Sequence, residues 1–345
     1  MNVYKELQQM TEQLETLKSS CTSKSLQGLA MTYKGKSCRI VKDEMEGDVR
    51  MLVLRSFDGR YEQRLPLTKK RIHALCSTMK KEVAARYFGE TANKEEIASL
   101  ETSIREKEQF AKTRQEFVDY LKSRNVTHFV HFTPLKNLPS IATFGLVPVG
   151  MQESYGITSI TTDSERMDGK RHNNLSITFP NYSMFCTKRA TMRIPFAVLK
   201  LDIALLLDSE IAKNIVFCNH NAAASGVCEG KKLENLQHMF SEKSYYKNKI
   251  VSRDQLDIPD SYTTDPQAEV KVSGVIPPQY ITDVLVESGD GAAYAYAKKT
   301  AFASLVKENQ ELFSYRKDYS FWKEENRSGN TSGFRYNRYC PVLCP

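Results

Sequence analysis

A histidine and a threonine stand at the end of one apolar run. His131 and Thr133 alternate with Phe132 in the run that ends at Pro134. Side chains two residues apart on a strand share a face, so an imidazole and a hydroxyl together could grip a ribose or an amide. On spacing alone, a histidine that bonds the backbone at the end of an ordinary strand is the favoured interpretation.

A carboxylate opens a second apolar run. Glu269 follows the turn-forming residues 263–267 and precedes Val270–Val272. A fixed carboxylate stabilises the oxocarbenium-like charge that develops when an N-glycosidic bond breaks, and it can take a proton from an attacking nucleophile. A glutamate exposed at a strand edge fits the same pattern.

Two arginines and a tyrosine are further candidates for contacts with a nucleotide. Arg166 and Arg171 lie in the polar stretch 163–171, and a guanidinium fork matches a pyrophosphate, although most such charge runs are solvated loops. Tyr182 follows a predicted strand that turns at Pro180-Asn181, and its ring could stack on nicotinamide or a base. Core packing is the default alternative for that ring.

These segments together resemble the DarT family of DNA ADP-ribosyltransferase toxins. The resemblance extends over about residues 126–286. It depends on four features in this order: HFTPLKNLPSI, a loop arginine, SITFPNYSMF and TDPQAEV. The resemblance implies NAD⁺ as co-substrate bound at His131 and Thr133, and Glu269 and Arg166 as catalytic residues, with Arg171 the fallback for Arg166. It also implies a thymidine base in single-stranded DNA as acceptor and a macrodomain antitoxin as partner.

The elements around these residues predict an α+β protein. From residue 125 short apolar runs alternate with turn residues, which predicts a mostly antiparallel, split sheet, and the resemblance implies an ADP-ribosyltransferase-like core over 125–294. Residues 1–124 are expected to form a small α/β N-terminal domain. It would contain a helix with the seam Leu7, Met10, Leu14 and Leu17, a three-stranded meander over Cys38–Lys42, Val49–Phe57 and Tyr61–Leu65, and helices over 68–88 and 94–124.

The seam of the first helix has two interpretations. It fits a helix packed on its own domain and equally one that forms an oligomer, since two heptads fall short of a coiled coil.

The last 51 residues, 295–345, have a distinct composition. They hold ten aromatic residues and nine basic residues against five acidic ones. Rings that stack on bases and cations that meet phosphates are typical of single-strand binding. We therefore predict a C-terminal extension that binds nucleic acid, while rings packed on the core are the alternative. The predicted contact residues are Phe334, Arg335, Tyr336, Arg338 and Tyr339.

Composition and the absence of certain motifs restrict the classes of function and location that remain. A net charge of +8 makes polyanions plausible partners. The eight cysteines include no Cys-x-x-Cys pair. Zinc-ligand spacing is absent both from the group Cys218, His220 and Cys228 and from the pair Cys340 and Cys344. We therefore expect free thiols and no metal. P-loop and Rossmann fingerprints are absent. With no apolar run long enough for a membrane and no signal-peptide pattern, we expect a cytoplasmic protein.

The sequence thus favours an NAD⁺-dependent ADP-ribosyltransferase that modifies a base of single-stranded DNA or RNA. It would be the toxin of a toxin–antitoxin or anti-phage system. A protein-modifying ADP-ribosyltransferase and a non-catalytic nucleic-acid-binding module are the alternatives.

Overall fold

The computed structural model divides the chain into two compact units, Val3–Phe110 and Met1–Asn2 with Ala111–Pro345. In the described part of the chain no helix is long and apolar enough to span a membrane. The structure describes residues 2–18, 25–47, 49–78, 80, 83–84, 87, 94–162, 171–221, 227–246 and 249–319.

The first unit contains an antiparallel sheet with strands in sequence order. Its strands are β1 Ala30–Tyr33, β2 Lys36–Glu46, β3 Val49–Ser56 and β4 Glu62–Pro66, and its helices are α1 Val3–Lys18 and α2 Lys69–Thr78, with the first part of α3 Lys94–Ser123. The predicted helix over 94–124 is confirmed. The prediction of a three-stranded meander is wrong, because the sheet has a fourth strand, β1. This edge strand has only four residues between two turns, and its sequence shows no clear alternation of apolar and polar residues.

Side chains from the sheet and from α2 form the core of this unit. Ile40, Leu52, Leu54 and Leu75 are fully buried in it. The seam residues of α1 are only half-buried. Lys18 Nζ on α1 lies 2.6 Å from Glu101 Oε1 on α3, and Lys107 on α3 pairs with Glu6 on α1, so these two helices pack side by side.

The second unit is built on one eight-stranded sheet and a separate hairpin. The strands are β5 His128–Pro134, β6 His172–Ile177, β7 Phe196–Asp202, β8 Ile215–Cys218, β9 Glu229–Gly230, β10 Lys243–Tyr246, β11 Lys249–Ser252, β12 Glu269–Ser273, β13 Ile281–Glu287 and β14 Val306–Asn309. The helices are α4 Leu138–Phe144, α5 Tyr182–Met192, α6 Ser209–Ala212, α7 Leu233–His238, α8 Arg253–Leu256 and α9 Gly291–Ala297.

The sheet order is β14-β13-β7-β5-β6-β12-β8-β9, and β10 and β11 form the hairpin. β13 and β14 run parallel, and the other neighbouring strands of the sheet pair antiparallel. The content of helix and sheet confirms the α+β prediction.

The sheet opens in its middle, between β5 and β6. β5 pairs with β7 over seven residues, from His128 to Pro134. With β6 it shares only two pairs, Phe129 with Ile177 and Val130 with Ser176. The two central strands therefore separate next to His131, and this is the split on which the site is built.

Apolar side chains cover both faces of the sheet. Phe129 and Val270 lie in one buried cluster, and Val130 lies in another on the opposite face. On the first side, Gly145 ends α4 with a φ of 78°. A Cβ at this position would lie 2.2 Å from the Ile276 carbonyl oxygen, so the close approach of the two backbones requires glycine.

The C-terminal stretch differs from the predicted extension that begins at residue 295. β14 is the edge strand of the sheet, and Leu312 and Phe313 are buried in the core of the same unit. The sequence of Val306–Asn309 does not predict a strand, because it contains charged residues in place of an apolar run. A short edge strand buries few of its side chains, so it can contain such residues.

Candidate functional site

Hydrogen bonds join two of the predicted site residues across the split. His131 Nδ1 lies 2.9 Å from the carbonyl oxygen of Asn174. The side-chain amide of Asn174 donates to Glu269 Oε2 at 3.3 Å. A carbonyl oxygen can only accept, so the bond requires the proton on Nδ1 of the imidazole. Asn174 on β6 thereby fixes the orientation of both the histidine and the carboxylate.

Glu269 is the first residue of β12 and is 7% exposed. It stands opposite Cys218 of β8 in the register. Lys271 follows on the same face of the strand, and its Nζ lies 2.5 Å from Glu229 Oε2. Burial is the main cause that raises the pKa of Cys218 to about 12, so this thiol stays neutral beside the carboxylate.

Thr133 connects β5 to the polar loop. It is 5% exposed, and its Oγ1 accepts a hydrogen bond of 3.1 Å from Asn137 Nδ2. Asn137 also bonds both backbone groups of Ile160, at 2.9 Å to the nitrogen and 3.0 Å to the oxygen. Thr133 and Asn137 therefore fix the chain just ahead of the predicted arginine loop.

The other predicted nucleotide contacts are distributed differently. Arg166 lies outside the described residues, and Arg171 is exposed, directly before β6. Tyr182 is 4% exposed and packs edge-on against Tyr315 and Tyr319, with centroid distances of 6.2 and 5.9 Å. The predicted nucleic-acid contacts Phe334, Arg335, Tyr336, Arg338 and Tyr339 also lie outside the described residues.

The turn ahead of Glu269 is tied to the end of β8. His220 Nδ1 pairs with Asp265, and Asp265 Oδ1 accepts from the backbone nitrogen of Gln267 at 2.6 Å. Burial alone would lower the pKa of His220, but the hydrogen bond and charge of Asp265 outweigh it and raise that pKa above its usual value. The pair is therefore strongest with a protonated imidazole.

The cysteines and histidines near this turn have other partners. His220 binds Asp265, and Cys228 Sγ lies 3.4 Å from His238 Nδ1. Within the ranges that the structure describes, no group of three or more His, Cys, Asp or Glu side chains could hold a metal ion.

Asn174, Asn137 and His220 are not among the residues that the sequence predicts for the site. The asparagines carried a usable signal. Asparagine is depleted in strands, so Asn173-Asn174 ahead of an apolar run and Asn137 behind another point to specific hydrogen bonds. His220 carried none, because its partner is 45 residues away in the chain.

Comparison with known proteins gives one family. The model described as "ssDNA thymidine ADP-ribosyltransferase, DarT" matches residues 130–308, slightly more than half of the chain. The match extends beyond residue 286, where the resemblance seen in the sequence stops. The comparison with curated proteins finds no match.

Solved structures of this family are similar to parts of the chain. Thermosipho africanus DarTG in complex with ADP-ribose is 15% identical, with a TM-score of 0.36, over 54% of this chain and 50% of that chain. Thermus sp. 2.9 DarT in complex with NAD⁺ is 15% identical, with a TM-score of 0.38, over 54% and 96%. The Thermus protein in complex with ADP-ribosylated ssDNA is 17% identical, with a TM-score of 0.35, over 56% and 96%. Because these TM-scores are below 0.5, the structural similarities add nothing to the family match.

Proposed function

This chain belongs to the DarT family, and from that premise we propose that it transfers ADP-ribose from NAD⁺ to a thymidine base of single-stranded DNA. The family match confirms the prediction of an ADP-ribosyltransferase. The observation that carries the assignment of residues is the hydrogen-bonded series His131–Asn174–Glu269 across the split of the sheet.

His131 and Thr133 hold the donor in this proposal. The bond from His131 Nδ1 to the Asn174 carbonyl fixes the imidazole plane, so that binding costs little further loss of side-chain freedom. Thr133 acts through Asn137 on the loop that leads to Arg166. A guanidinium from that loop would neutralise the pyrophosphate, with Arg171 the alternative source, and Tyr182 would support the nicotinamide end from within its aromatic cluster.

Glu269 stabilises the transition state. As the bond from ribose C1′ to the nicotinamide nitrogen breaks, its electron pair neutralises the pyridinium ring and positive charge develops on the ribose. A fixed carboxylate in a buried site stabilises that charge more than water would. The thymine then bonds to C1′ and gives up one proton, which a Glu269 oxygen would accept.

The biological setting follows from family resemblance. We propose a toxin restrained by a macrodomain antitoxin, acting in a toxin–antitoxin or anti-phage system. RNA is an alternative acceptor to DNA. The predicted N-terminal domain, residues 1–124, would serve oligomerisation or partner binding.

The segment Phe334–Tyr339 is proposed to hold the single strand. Its rings would stack on bases and its arginines would meet phosphates. Replacing Phe334, Tyr336 and Tyr339 with alanine should lower single-strand affinity and leave the melting temperature intact. An unchanged affinity in the folded variant would remove this segment from the binding surface.

Labelled NAD⁺ tests the acceptor directly. Wild-type protein is incubated with thymidine-containing single-stranded DNA, the same DNA without thymidine, RNA, and protein from a lysate. We expect label on the thymidine-containing DNA. Label on protein alone would contradict the proposal and support the protein-modifying alternative, and label on no acceptor would leave a binding module.

A further inference from the structure

One buried arginine stands just beyond the part of the chain that the family model matches. Arg316 lies eight residues after the end of that match, in the segment that follows β14. It is 3% exposed. Long charged side chains are almost never fully buried unless they are paired, so its partners indicate why the fold retains it.

Two of these partners are backbone carbonyls in the turn ahead of Glu269. Arg316 Nη1 donates to the Thr263 oxygen at 3.0 Å, and Nη2 lies at 3.4 Å from the Thr264 oxygen. The guanidinium also lies 5.6 Å from the centre of the Tyr262 ring. The same C-terminal segment contributes Glu311, which accepts from the Tyr262 hydroxyl at 3.2 Å.

Arg316 is itself held rigidly. Its Nε lies 2.7 Å from Asp318 Oδ1 and its Nη2 lies 2.5 Å from Oδ2, a bidentate pair. The two side chains are 2% and 0% exposed. A planar guanidinium gripped on one edge by a carboxylate presents its remaining donors in a fixed direction, which is the direction of the two carbonyls.

The turn passes this constraint on to Glu269. Thr263 Oγ1 donates to the Asp265 carbonyl at 2.7 Å, and the Ala268 nitrogen donates to the same oxygen at 3.2 Å. Ala268 directly precedes Glu269. A shift of the Thr263 and Thr264 carbonyls would therefore move the residue from which the carboxylate projects.

We propose that Arg316 is a positioning residue, which holds the turn Tyr262–Ala268 so that the Glu269 carboxylate meets the developing charge on the donor ribose. The inference rests on the proposed function, because it assigns the chemistry to Glu269. It extends the functional machinery into the C-terminal segment that the family model leaves out.

The test compares Arg316→Lys with Arg189→Lys. Arg189 is the control, since its guanidinium has the same kinds of partner: it bonds the Phe313 carbonyl at 2.8 Å and pairs with Glu287. Each variant is titrated with NAD⁺ to count binding-competent sites, and single-turnover transfer is expressed per competent site. A second variant, Arg316→Gln with Asp318→Asn, removes both charges together and so leaves no buried carboxylate unpaired.

We expect Arg316→Lys to keep the NAD⁺ dissociation constant and to lower the transfer rate per competent site, by up to about 10²-fold in the double variant. Arg189→Lys should keep both quantities. A rate per competent site that is unchanged in both Arg316 variants would overturn the proposal, as would loss of NAD⁺ binding in both. Glu269→Gln is measured alongside, to distinguish a failure of the positioning role of Arg316 from a failure of the proposed function. A normal rate in Glu269→Gln would contradict the proposed function itself.

Discussion

The strand β5 and the turn ahead of β12 both position side chains of the proposed site, but by different means. His131 lies on a strand whose backbone pairs with β7 over seven residues. The turn before Glu269 depends on side chains from distant segments, His220, Arg253 and Arg316. A backbone ladder survives most single substitutions, whereas a turn held by side chains can be displaced by one. The carboxylate is thus the more vulnerable half of the site.

The largest expected effect is at the carboxylate itself. Glu269→Gln keeps the shape of the side chain and removes its charge, so transfer should fall by about 10²–10³-fold. NAD⁺ binding should survive, because His131 and Thr133 are untouched. Single-turnover transfer and an NAD⁺ titration of the same preparation measure both. A variant that turns over like the wild type would show that the chemistry lies elsewhere.

The arginine loop gives the next largest effect. Arg166→Ala should weaken NAD⁺ use more than Arg171→Ala, because Arg166 matches the loop arginine of the family resemblance and Arg171 is exposed directly before β6. Steady-state kinetics with varied NAD⁺ rank the two variants. The reverse order would make Arg171 the pyrophosphate contact.

Asn174 bonds both His131 on β5 and Glu269 at the start of β12. Its substitution should have an intermediate effect on transfer. Asn174→Ala removes the donor to Glu269, and the loss of one hydrogen bond to a charged group should lower transfer by about tenfold. Asn173→Ala is the matched control, since that amide bonds the carbonyls of Leu146 and Gly274 at 2.9 and 3.0 Å.

The control is expected to lower the melting temperature and to keep the rate per folded molecule. Equal losses of rate in both variants would mean that Asn174 only stabilises the fold.

The same contrast explains what the sequence could predict. The run through His131 and the opening of β12 at Glu269 follow from local patterns of apolar and turn residues, so their elements and faces were predicted. The edge strand Val306–Asn309 was not, because its charges resemble a loop. The partners of Thr263 and Asp265 could not be predicted either. Arg316 and His220 lie some 50 residues away in opposite directions, and no local pattern encodes such a contact.

The smallest expected effect concerns pH. Asp265 raises the pKa of His220, so the pair stabilises the fold fully below the ordinary histidine value of about 6.5, and that stabilisation is lost as the pH rises through the raised pKa. The wild type should melt about 2–4 °C above His220→Gln at about pH 6. The difference should shrink at alkaline pH, and a difference that grew with pH would contradict the ion pair.

The most direct measurement is the mass of an oligonucleotide that carries a single thymidine, after incubation with the protein and NAD⁺. We predict a gain of one ADP-ribosyl group on that thymidine, none on a matched oligonucleotide without thymidine, and a rate of modification about 10²–10³-fold lower with Glu269→Gln. An unmodified oligonucleotide under conditions in which the protein binds both NAD⁺ and the strand would contradict the account.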